Sequence, residues 1–204
     1  MRRVFSSGRQ RLLLGAFLLF VATFGFAQRP DNEVWQGAWD GNVEQVRSAV
    51  DKGANVNVRG KGGWAPLLVA ARNGHFDVVQ YLVEHGADIE QSDNSRDKTP
   101  LLAAAFKGHY DIVKYLVDKG AKVNVQAING WTPLHDAAYV GSVDVVKYLV
   151  DHGADLSIRN KDGQTALEAA EFAVKTQNPI RHGRTTASPQ DYQEVISYLK
   201  SHGG

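Results

Sequence analysis

His135 and Asp136 stand side by side near the middle of the chain, and their types are those of a general-base pair. An imidazole takes a proton near neutral pH, and a carboxylate orients it. Spacing puts no nucleophile beside them, so no Ser/His/Asp constellation can be assembled. His75 and His109 form one pair of like-placed histidines, and His85 and His152 form another. Neither pair has the spacing of a zinc site, and the chain has no cysteine, so no metal or cofactor is expected. Arg59-Gly60-Lys61-Gly62-Gly63 has the glycines of a phosphate-gripping loop without its Gly-Lys-Ser/Thr ending, and a turn between structural units explains it. Catalysis is not expected. The residues left to act are aromatic and basic ones at recurring positions.

Two segments of different character must carry those residues. Residues 1–27 hold Arg2, Arg3, Arg9 and Arg11, no acidic residue, and a run of 16 residues from Leu12 to Ala27 that is almost wholly apolar. That run is short for a membrane span, which takes about 20 residues. It ends in Gly25 and Ala27, the small residues a signal peptidase accepts, before polar Gln28-Arg29-Pro30-Asp31. We read 1–27 as a cleaved secretory signal, with an uncleaved anchor as the alternative and Arg2-Arg3 only a faint twin-arginine trace. The mature chain is then 28–204, one modest domain. Without residues 1–27 the chain has 19 basic against 22 acidic residues. That balance does not suit a nucleic-acid binder.

The mature segment repeats itself. Gly-Ala pairs stand at 53–54, 86–87, 120–121 and 153–154, and glycines at 41, 74, 108 and 141 keep the same step. Leu67, Leu101, Leu134 and Leu167 follow it too, with Pro66, Pro100 and Pro133 before the first three. The spacing is 33 or 34 residues, a period that denotes stacked supersecondary units. Thr132-Pro133-Leu134-His135-Asp136-Ala137-Ala138 is the best copy of the repeated sentence. On that motif and its register the chain resembles the ankyrin-repeat family over about 32–202. The resemblance implies an all-α solenoid of about five helix-turn-helix units joined by short turns or hairpins. It also implies that His135 is a hydrogen-bonding residue at a helix start.

Local chemistry agrees with such units. Thr132 suits an N-cap and Pro133 a first helical turn. Leu134, Ala137 and Ala138 make one apolar stripe, and Val143, Val146, Leu149 and Val150 make that of a second helix. Gly141 and Gly153 suit left-handed helix ends. The units fall at about 32–60, 61–94, 95–127, 128–160 and 161–202. The first lacks a Thr-Pro start, the second has Ala65 in the capping place, and the third has one extra residue between Asp93 and Lys98. In the fifth, residues 175–190 are expected as a loop inserted between two helices. Its Arg181, His182 and Arg184 allow a basic contact, and a merely tolerated insertion is the alternative.

In the family, binding commonly uses the turn tips and the exposed ends of the first helices, which together line a concave groove. In this register the tips are Trp64, Lys98, Trp131 and Gln164. The helix ends are Trp39 and Asp40, Arg72 and Asn73, Phe106 and Lys107, Tyr139 and Val140, with Phe172 in the last unit. Trp39, Trp64, Arg72, Phe106, Lys107, Trp131, Tyr139 and Phe172 are the expected partner-binding residues. The aromatic ones among them either receive a partner or pack on one another, and the two can coexist. Tyr81, Tyr115, Tyr148 and Tyr198 share a second-helix position and read as structural.

The expected function is that of a non-enzymatic protein-binding module. It is expected as a monomer, periplasmic or secreted, with a protein partner and no contact with nucleic acid or, once the signal is cleaved, with a membrane. Two alternatives of similar kind are an inhibitor of an envelope toxin or enzyme, and an accessory factor for an envelope enzyme.

Overall fold

The computed structural model describes residues 30–176 and 187–203. The expected signal segment and Arg181, His182 and Arg184 lie outside them. Ten α-helices form five antiparallel pairs, and there is no strand among the described residues, so the connections are turns rather than hairpins. The pairs are α1 (Pro30–Asp40) with α2 (Val43–Asp51), α3 (Pro66–Asn73) with α4 (Phe76–Glu84), and α5 (Pro100–Lys107) with α6 (Tyr110–Asp118). They continue with α7 (Pro133–Tyr139) and α8 (Val143–Asp151), then α9 (Ala166–Lys175) and α10 (Pro189–Ser201). Most of the segment expected as a loop over 175–190 also lies outside the described residues; of its edges, Lys175 closes α9 and Pro189 opens α10. A capping box at Ser188 and Asp191 starts α10.

Helix starts follow the capping residues. Thr99, Thr132 and Thr165 each accept a backbone N–H of their own first turn, and Ala65 leaves α3 without a side-chain cap. Helix ends follow the glycines. Gly74 takes φ of +82°, and a Cβ there would come within 2.7 Å of the His109 ring of the next pair. It is needed for conformation and for close approach alike.

The first helices form one row and the second helices another. Alanines at 70, 71, 104, 105, 137, 138, 169 and 170 are all buried, so the first helices pack closely along the row. The second helices meet through Val, Leu and Tyr side chains and approach one another less. The stack is thus narrower along the first-helix row. Leu67, Leu101 and Leu134 are each 1% exposed and contribute roughly 1.5–3 kcal/mol apiece by burial. Leu167 has the same place in α9 but is only partly buried, because no described helix packs beyond α9. No unit encloses its own core; neighbours supply it.

Each turn tip is closed by one backbone hydrogen bond. The donors are the N–H groups of Gly60, Asp93, Ala127 and Asn160, and the acceptors are the carbonyls of Trp64, Lys98, Trp131 and Gln164. The loop of the third unit is one residue longer, and Asp97 absorbs it in a left-handed conformation at φ of +51°.

Candidate functional site

His135 and Asp136 do not form a pair. His135 lies where α3 and α5 carry the buried leucines Leu68 and Leu102, and it is itself buried. Its Nε2 donates to the Gln164 carbonyl at 3.0 Å, and its Nδ1 sits 2.8 Å from the Thr132 hydroxyl. Burial lowers its pKa against the raising effect of that carbonyl. This histidine is neutral at neutral pH and ties one unit to the next. Asp136 turns to Lys98 instead, whose Nζ lies 3.0 and 3.3 Å from its carboxylate oxygens. Burial raises the Asp136 pKa to about 6, opposed by the Lys98 charge and hydrogen bond.

His75, His85, His109 and His152 are also structural. His75 and His109 place Nε2 on the carbonyls of Trp39 and Arg72 in the preceding pair, at 3.0 and 3.2 Å. Burial lowers the His109 pKa. In the last unit the Tyr192 hydroxyl does the same job, donating to the Tyr139 carbonyl. His85 and His152 cap second helices and stack on Tyr81 and Tyr148. Tyr148 donates to Asp118, and Tyr198 to Asp151, bracing consecutive second helices. Among the described residues no group of three or more His, Asp or Glu side chains is placed to hold a metal.

The expected binding residues come together in pairs, each made of a turn tip and the side chain eight positions later. The Arg72 guanidinium lies 4.7 Å over the Trp64 ring. In the next unit the roles are exchanged, and Lys98 Nζ lies 4.8 Å over the Phe106 ring. Lys107 lies 5.5 Å from the same ring. Trp131 and Tyr139 meet edge to face at 5.2 Å. At the first unit Trp39 stacks at 6.5 Å on Trp64 and is 40% exposed. At the last, Phe172 is 46% exposed. Trp64, Phe106, Trp131 and Tyr139 are half-buried, so packing on neighbours and exposure to solvent coexist along the row. Val140 was expected at the groove and is buried instead, at the C-cap of α7 where the chain turns into the second helix.

Sequence reading missed three members of this surface. Trp35 stacks on Trp39 at 5.5 Å and donates its indole N–H to the Trp64 carbonyl, fastening the first two units. Ile128 is 54% exposed at the tip before Trp131. Asp136 neutralises Lys98. The spacing of eight between Trp64 and Arg72, Lys98 and Phe106, and Trp131 and Tyr139 was the readable signal for the pairs. Nothing in spacing linked Lys98 to Asp136, which lie 38 residues apart.

Comparison with known families and proteins follows the same register. Residues 34–127 match the family described as ankyrin repeats (3 copies), and residues 116–170 match ankyrin repeats (many copies). The chain is 42% identical over 57 residues to protein phosphatase 1 regulatory subunit 27 of Homo sapiens, covering 28% of this chain and 37% of that protein. It is 36% identical over 58 residues to the Notch-regulated ankyrin repeat-containing protein of Xenopus tropicalis, covering 28% and 51%. Against the mitochondrial disaggregase of Bos taurus it is 39% identical over 64 residues, 31% of this chain and 10% of that one. The chain thus spans about half or less of the length of these relatives. With the stacked helix pairs and two family matches lying on them in register, the chain belongs to the ankyrin-repeat family.

Proposed function

We propose that this chain is a non-enzymatic protein-binding module that holds one protein partner against the first-helix row. The observation that carries this reading is the row of tip-and-helix side-chain pairs at the same register in successive units. These positions lie outside the apolar stripes that hold the stack together, yet they are filled by Trp, Tyr, Phe, Arg and Lys. Such residues are the usual centres of binding energy, since they bring large contact area at small cost in side-chain freedom. Units locked by His75, His109 and His135 hold the row in place before a partner arrives, so little order is lost on docking.

The experiment is a pull-down with the chain from residue 28 as bait, beside a Trp64→Ala plus Trp131→Ala variant. A partner recovered by the first and lost by the second, with unchanged circular dichroism, is the expected result. Full retention by the variant would remove the groove reading.

We propose also that the module works outside the cytoplasm, in the periplasm or the medium. The support is the basic, then apolar, then small-residue order of residues 1–27. Mass spectrometry of protein recovered from the cell exterior is expected to find Gln28 at the N-terminus. Met1 retained there would mean an anchor instead.

A further inference from the structure

We infer that the N-terminal part of the groove takes an extended peptide segment bearing a carboxylate, with Arg72 as the group that receives it. This inference rests on the groove reading above and specifies the chemistry of its partner.

Two successive units differ in how their cation is balanced. In the third unit, Lys98 lies over the Phe106 ring, and the next unit supplies the carboxylate of Asp136 to its ammonium. In the second unit, Arg72 lies over the Trp64 ring in the same kind of contact. The residue that corresponds to Asp136 one unit earlier is Ala103, a buried methyl group. The second unit's cation therefore has no carboxylate supplied from the following unit, and Arg72 makes no ion pair with a described carboxylate. Asp40, the acidic residue at the end of α1, accepts from Gln36.

Trp64 covers one face of the guanidinium and leaves the edges of its N–H fork, which match a carboxylate in a two-point contact. Beside it, the rings of Trp35, Trp39 and Trp64 make a continuous apolar platform, with Trp39 the exposed member. Trp39 and Trp64 are 6.5 Å apart. Side chains two residues apart on one face of an extended chain are about 7 Å apart. Same-face side chains of an extended segment therefore match the step between these two rings, and a segment carrying Asp or Glu near large apolar side chains would set the apolar groups on the rings and the acid on Arg72, which lies over Trp64.

The test pans a phage-displayed library of random peptides on the whole chain, then measures selected peptides by fluorescence anisotropy. Selected peptides should be enriched in an acid close in sequence to an aromatic or aliphatic residue. Replacing that acid by its amide, or making Arg72→Gln, should each weaken binding roughly 10- to 100-fold, and the two losses should not add. Arg72→Lys should restore part of the affinity, keeping charge without the fork. Peptides that lose binding with Trp64→Ala plus Trp131→Ala yet ignore Arg72→Gln would overturn the carboxylate inference and leave the groove reading standing. Peptides indifferent to both variants would overturn both. No selection at all, or an Arg72-dependent preference for polygalacturonate over polyglutamate, would also overturn the inference, the latter in favour of an acidic glycan.

Discussion

Lys98→Met tests the ion pair between half-buried Lys98 and buried Asp136, and its effect should depend on pH. Asp136 is 2% exposed, and its carboxyl is raised from an ordinary 3.8 to about 6 even with Lys98 beside it. A carboxyl with a raised pKa holds its proton more tightly when folded than when unfolded. Its contribution to stability is complete below about pH 4 and is lost as the pH rises through about 6. A shift of about 2 pH units corresponds to roughly 3 kcal/mol between those limits. Without Lys98 the carboxyl rises further, and near neutral pH the variant must bury an uncompensated charge or keep a proton. Losses of about 3–5 kcal/mol are typical when one partner of a buried pair is removed. At about pH 4.5 the carboxyl is protonated in both proteins, and only the ammonium's hydrogen bond to a neutral carboxyl and its contact with the Phe106 ring are missing. Exposed carboxylates such as Asp118 and Asp155, whose pKa values are lowered, contribute with the opposite sign but equally in both proteins. Urea unfolding followed by far-UV circular dichroism at both pH values reads the difference, provided each transition is single. The destabilisation should be about 1 kcal/mol larger at pH 7 than at about pH 4.5, because a carboxyl at about 6 has released its proton over only about one pH unit by then, and Asp136→Asn should flatten the response. A loss equal at both pH values within about 0.5 kcal/mol would refute the reasoning.

Two further substitutions test the local grammar of the repeats. Ala65→Thr supplies the cap that α3 lacks and should raise stability by about 1 kcal/mol, seen as a higher urea midpoint at unchanged slope. Gly74→Ala should cost more than about 1 kcal/mol, because its φ of +82° penalises a Cβ that would also push on the His109 ring. A neutral effect there would mean that the α3–α4 corner relaxes freely.

The architecture was legible because its determinants are local. Thr132-Pro133 starts α7, Gly141 turns the chain, and Leu134 with Ala137 and Ala138 marks the buried face, all within ten residues. The groove was legible only in outline. Register placed Trp64 and Arg72 on the same face, but their contact, and its inversion at Lys98 and Phe106, depend on side-chain directions. The Lys98 partner of Asp136 was hidden for the same reason. In sequence the neighbour of Asp136 is His135, but on a helix adjacent residues point about 100° apart, so each faced a different unit. Trp35 passed unnoticed because the first unit carries no Thr-Pro start against which to align it.

The unequal spacing of the two helix rows has a mechanical consequence. The first helices touch through alanines at close range, where attraction falls off steeply with separation. The second helices meet through longer Val, Leu and Tyr side chains that rotate and slide. A load that straightens the solenoid is expected to strain the alanine contacts at once, whereas one that curls it further is taken up by the second row. The protein should therefore act as a one-sided spring, stiff toward straightening and compliant toward curling. Thermal fluctuations then bias it to close around whatever lies along the first-helix row. Force–extension curves should stiffen early for the chain itself, and later when Ala104→Gly and Ala137→Gly loosen the alanine row.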